Sequence, residues 1–131
     1  MGILGASNPA PGAGKSLNYI GTHIFGYSGI IEVDDTETTL IETVMGTGYA
    51  ILTLDFGTGS ASTRDMQWNV YIDEQNVYSY VSSGTNQAGA NPQNSCQILV
   101  PGYSKFKITS DNLTDNNSEK QSVLITGRVY A

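Results

Sequence analysis

The chain has 131 residues, room for one folded domain, since a single core commonly takes about 100–200 residues. Hydrophobic residues make up 39% and charged residues only 14%, with 15 glycines, a composition of short strands and many turns that argues against disorder and against coiled coil. Six Lys plus Arg against twelve Asp plus Glu give a net charge of −6, so the basic footprint that neutralises nucleic-acid phosphates is missing and no nucleic-acid partner is expected.

Residues 1–16, from Met1 to Ser16, hold Gly, Pro and Ala without a sustained period and read as a flexible, extended N-terminal arm. Two readings of the arm stand side by side. Small residues at a terminus fray, whereas Ile3 and Leu4 at the tip offer something apolar to set on a neighbour. The segment lacks a charged stretch followed by an apolar one, and no window nears the ~18 consecutive apolar residues of a membrane helix. Neither a cleaved signal nor a membrane partner is expected.

Residues 17–131 read as a single β-sandwich domain. From Asn18 onward, β-branched and aromatic runs alternate with turn residues, the pattern of an all-β antiparallel sandwich or barrel. About eight strands are predicted, near Tyr19–Phe25, Gly29–Val33, Thr38–Val44, Gly48–Phe56, Asp65–Ile72, Asn76–Val81, Cys96–Val100 with Ser104–Thr109, and Gln121–Tyr130. In Gly48–Phe56 the set Ala50, Leu52, Leu54 and Phe56 points one way and Tyr49, Ile51, Thr53 and Asp55 the other, the period of two of a strand with one face on a core.

A two-residue turn at Glu74 and Gln75 would place Tyr71 opposite Tyr78, Asn69 opposite Tyr80, Ile72 opposite Val77 and Trp68 opposite Val81. Trp68, Val70, Ile72, Val77 and Val81 then face the core. Tyr71, Tyr78 and Tyr80 form an outward aromatic patch, which suits an interface or else covers part of its own subunit. Ser82–Ser95 is the longest strandless stretch inside the domain. It is either a loop that orders against a neighbour or a tolerated insertion.

Several apparent motifs fail. Gly12-Ala-Gly-Lys-Ser16 ends like a phosphate-binding loop, but Pro9 stands where its first glycine belongs and no strand precedes it. Asp111–Glu119 hints at a calcium loop, yet Leu113 occupies its third position and Asn116 its sixth. The acidic run Glu32, Asp34, Asp35, Glu37 sits at a strand junction, where acidic turn residues are ordinary. The histidine, His23, has no nucleophile elbow to serve, and with Cys96 it cannot complete a standard zinc site. Cys96 heads an apolar strand with nothing basic beside it, and reads as a small core residue. The expectation is a protein that is not an enzyme and has no catalytic residues, no metal and no cofactor.

The segment Gly14-Lys15-Ser16-Leu17-Asn18-Tyr19-Ile20-Gly21-Thr22-His23, followed by Gly26-Tyr27-Ser28-Gly29 and closing with Leu124-Ile125-Thr126-Gly127-Arg128-Val129-Tyr130, resembles small β-sandwich proteins of tailed bacteriophages, among them capsid decoration, or cement, proteins. The resemblance spans most of the chain from Lys15. It implies a jelly-roll-like sandwich that forms a homotrimer on the outer capsid surface and clamps neighbouring subunits of the major capsid protein. Tailed phages reuse the same sandwich in head fibres and tails, so a receptor- or glycan-binding role is the alternative that it implies. The candidate partner-interface residues are Ile3, Leu4, Tyr71, Tyr78 and Tyr80.

Overall fold

Gly21, at φ 60°, reverses the chain at its first hairpin, joining β1 (Asn18–Ile20) to β2 (His23–Tyr27). Glycine enters this left-handed conformation without steric cost. The computed structural model describes residues 17–58, 64–82 and 94–130. Within them the chain continues through β3 (Ile31–Val33), β4 (Thr38–Val44), β5 (Tyr49–Thr58), β6 (Met66–Ile72), β7 (Gln75–Ser82), β8 (Asn94–Val100), β9 (Lys105–Asn112) and β10 (Glu119–Tyr130). Ile3 and Leu4, with the rest of the predicted arm, lie outside the described residues, as does most of the Ser82–Ser95 stretch.

Two antiparallel sheets form a sandwich. One is six-stranded, in the order β1-β2-β10-β5-β8 with β3 pairing β10; the other is four-stranded, in the order β4-β9-β6-β7. The pairs β2·β10, β4·β9, β5·β8 and β6·β7 nest inside one another, as in one long hairpin folded over itself. Pairing of β10 with β5 and of β9 with β6 then closes the two sheets. This strand order is the jelly roll. Tyr19–Phe25, read as one strand, is the β1–β2 hairpin, and Cys96–Val100 and Ser104–Thr109 fall in opposite sheets. The segment between those two crosses the sandwich, with Tyr103 N donating to the Gly46 carbonyl at 2.7 Å and Met45 N to the Ser104 carbonyl at 2.8 Å.

The core lies between the sheets. β5 contributes Ala50, Leu52, Leu54 and Phe56, the set its alternation predicts, and β10 contributes Val123, Ile125 and Val129. Met66, Trp68 and Val70 of β6 and Phe106 and Ile108 of β9 face them. A register shift between Thr39 and Ile41 of β4 goes with two consecutive buried residues, Leu40 and Ile41, because a bulge breaks the period of two. Among the described residues no helix is long and apolar enough to cross a membrane.

Candidate functional site: the two outer faces and the β6–β7 aromatics

The β6–β7 hairpin turns one residue earlier than its sequence suggests. Asp73 and Glu74 occupy the turn, both in the left-handed region at φ 51° and 67°, and Ile72 pairs with Gln75. Two successive positive φ values define a turn whose twist matches the flanking strands. Asp73 N donates to the Lys105 carbonyl, and the Asp73 carboxylate accepts from Lys105 N, each at 2.8 Å, which ties the turn to β9.

A register shift between Val70 and Tyr71 then places Val70 opposite Tyr78 and Trp68 opposite Tyr80. Residues directly opposite one another share a face, so Tyr78 and Tyr80 follow Val70 and Trp68 inward. Val77 and Val81, expected in the core, are exposed. The Tyr80 ring centroid lies 5.7 Å from Trp68 and 5.9 Å from Phe56, and the Tyr78 ring 6.4 Å from Phe56. These half-buried rings therefore join the two sheets, and the outward platform of Tyr71, Tyr78 and Tyr80 does not form.

Tyr71 alone of the three keeps to the outer side, within a polar network across the four-stranded sheet. Its hydroxyl donates to Glu37 Oε2 at 2.5 Å, and Thr109 Oγ1 donates to the same oxygen. Asn69 Nδ2 donates to Asp111 Oδ1 at 3.3 Å, and Ser79 Oγ to Asn69 Oδ1 at 2.8 Å. Lys107 Nζ sits 5.1 Å above the Tyr71 ring. Partial burial pushes the Glu37 carboxyl up, but the bonds from Thr109 and Tyr71, with Lys107 nearby, outweigh it and hold the group below its ordinary value. Asp111 lies above its own, through burial first and then the Glu37 charge. Beside this network Lys105 bridges Glu42 at 2.9 Å and Glu74 at 2.8 Å.

The suspected calcium loop is held by side chains of its own and by Arg64. Arg64 Nε donates to Asp115 at 2.9 Å, and its Nη1 donates to Glu119. Asn112, 3% exposed, accepts from Thr114 N at 2.8 Å and donates to Asp115 Oδ1 at 2.9 Å and to the Asn117 carbonyl at 2.8 Å. The acidic run disperses: Glu32 lies 3.8 Å from Lys120, Asp34 caps Thr36 N at 2.9 Å, and Glu37 joins the β6–β9 network. Among the described residues no three His, Cys, Asp or Glu side chains gather as for a metal.

Cys96 is half-buried against the core, and burial, with Asp55 nearby, pushes its thiol above the ordinary value. His23 is exposed on the outer face of the six-stranded sheet, opposite Arg128. The sequence reading missed that face. Phe25, Tyr27, Tyr49, Leu99, Leu124 and Tyr130 are all exposed on it. The signal was present in the alternation itself, because strands with large apolar residues at both parities carry them on both faces.

Compared by sequence, the chain matches no family model and no curated protein. By shape it is similar to VP2 of the infectious bursal disease virus subviral particle, at 9% identity and a TM-score of 0.47, over 81% of this chain and 32% of that one. It is also similar to the K3 cleaved adhesin domain of Lys-gingipain from Porphyromonas gingivalis w83, at 14% identity and 0.48, over 88% and 87%. A chain of the T13 infectious bursal disease virus particle aligns at 12% identity and 0.40, over 85% and 33%. This chain thus spans about a third of each viral chain's length.

Proposed function

We propose that the protein is a structural, non-catalytic component of a virus particle, a decoration protein that binds the outside of a tailed-phage head and braces contacts between major capsid subunits. The observation that carries the reading is the nested pairing β2·β10, β4·β9, β5·β8 and β6·β7. It supports the jelly-roll-like sandwich that the sequence resemblance implied, an architecture shared by viral capsid and lectin domains. A particle displays many copies of each subunit, so a small domain with modest contacts accumulates durable attachment. The glycan-binding alternative has two supports, a platform of Tyr71, Tyr78 and Tyr80, of which two rings are packed inward, and the Asn-rich Asn86–Asn94 loop, which but for Asn94 lies outside the described residues.

The test is co-sedimentation of the purified protein with heads isolated from the source that encodes the sequence, stripped of their own copies. Saturable binding at a fixed ratio to the major capsid protein, with a higher temperature of particle disruption, is the expected result. Heads that pellet without the protein overturn the reading.

A further inference from the structure

An antiparallel sandwich ordinarily turns a polar outer face to water on each side. The four-stranded sheet mostly does so, with Glu37, Glu42, Glu74, Lys107 and Asp111 in its network and only the valines Val44, Val77 and Val81 as large apolar side chains exposed along β4 and β7. The six-stranded sheet does not. On its outer face Tyr27 pairs with Leu124 beside Phe25, and toward the opposite corner Tyr49 stacks on Tyr130 with ring centroids 5.3 Å apart, next to Ile51 and its partner Leu99. The Thr53–Thr126 pair lies between these two groups. Charges on the face balance in number, Arg128 and Lys120 against Asp55 and Glu32, with Lys120 3.8 Å from Glu32.

We infer that this outer face is where one copy of the chain packs against a second copy in solution. Two arguments select that occupant. β2, β10, β5 and β8, 5, 12, 10 and 7 residues long, lie about 4.8 Å apart at ~3.4 Å per residue and present roughly 550 Å² in projection, which corrugation and the flanking β1 and β3 bring toward the ~800 Å² that each partner gives to a stable interface. Charge is the second. A chain of net charge −6 repels its own copies through its acidic surfaces, and the balanced face is where two copies meet without that cost. A two-fold pair, face on face, and a ring in which the face meets the flank of the next subunit both bury it. The inference stands apart from the virion reading, because free protein alone is measured.

The experiment is the solution mass of the full chain by size-exclusion chromatography with light scattering, repeated on the double variant Phe25→Thr/Leu124→Thr. Threonine keeps strand propensity at both positions. The wild type is expected to assemble, and the variant to dissociate at the same concentration with affinity lowered at least roughly 30-fold, as for the loss of two large apolar contact residues. Val77→Ser/Val81→Ser, on the other sheet, is expected to leave the mass unchanged. Should the first variant fail to fold, hydroxyl-radical footprinting of the wild type decides. Tyr27, Tyr49 and Tyr130 are then less reactive at assembling concentration than in dilute protein, while Tyr103, 74% exposed and off this face, reacts equally in both. A wild type with the mass of one chain, an assembly indifferent to the Phe25 and Leu124 changes, or unprotected tyrosines on this face would overturn the inference.

Discussion

Gly127 of β10 passes so close to Ile51 of β5 that a Cβ on the glycine would stand 2.2 Å from the Ile51 carbonyl oxygen. The obstacle is backbone in the middle of a sheet, where β10 is paired on both sides, Gly127 with Leu52 and with Ile24. It cannot rotate away. The Thr-Gly-Arg-Val-Tyr ending therefore carries a packing requirement. Gly127→Ala is expected to destabilise the fold by about 1–3 kcal/mol, the usual cost of forcing extra atoms into packed structure. A urea unfolding midpoint equal to that of the wild type would show that the two strands can part.

Tyr80 is expected to behave as a core residue. Its ring spans Trp68 and Phe56, so Tyr80→Ala removes contacts that join the sheets, at a cost of about 2 kcal/mol for a half-buried aromatic. The near-UV circular dichroism of Trp68 should weaken with it. Tyr71→Phe touches none of these rings and is expected to leave that signal intact.

These two tyrosines show where the sequence stopped being legible. The alternation in Gly48–Phe56 located β5 and its buried face, because period-two burial is a local property. The β6–β7 register is not local in that sense. Asp73-Glu74-Gln75 has no Gly or Asn to mark which pair adopts positive φ, and the choice of turn, with the shift between Val70 and Tyr71, decides the face of every residue on β7. The Arg64 site was harder still, since its partners Asp115 and Glu119 lie 51 and 55 positions away. Only the strand order brings them together.

Arg64→Met is expected to loosen the 112–118 segment. Glu119 is 5% exposed and accepts from the Arg64 guanidinium, and a buried carboxylate left without its cation is costly. Arg64→Lys should restore little, because one ammonium cannot replace a planar fork that reaches both Asp115 and Glu119. Hydrogen exchange is the check. Faster exchange at Thr114 and Asp115, whose amides bond to Asn112 Oδ1, is the expected outcome. Unchanged protection there would mean that the Asn112 bonds hold the turn unaided.

Glu37 and Asp111 should give the acid limb of stability two opposing components. The folded pKa of Glu37 lies below its ordinary 4.5, so its contribution is fully present above that value and is lost as the pH falls through the lower folded one. Asp111 has the opposite sign. Its folded pKa lies above the ordinary 3.8, so its charged form costs stability at neutral pH, and the cost disappears as the pH falls through the raised value toward 3.8. Asp111→Asn is accordingly expected to raise the Tm at pH 7 and to leave it unchanged near pH 3. Glu37→Gln is expected to lower the Tm at pH 7 and to flatten the loss below pH 4.5. Because the two carboxylates interact, the double variant should differ from the sum of the singles at pH 7, and strict additivity would show that their charges do not communicate across the sheet.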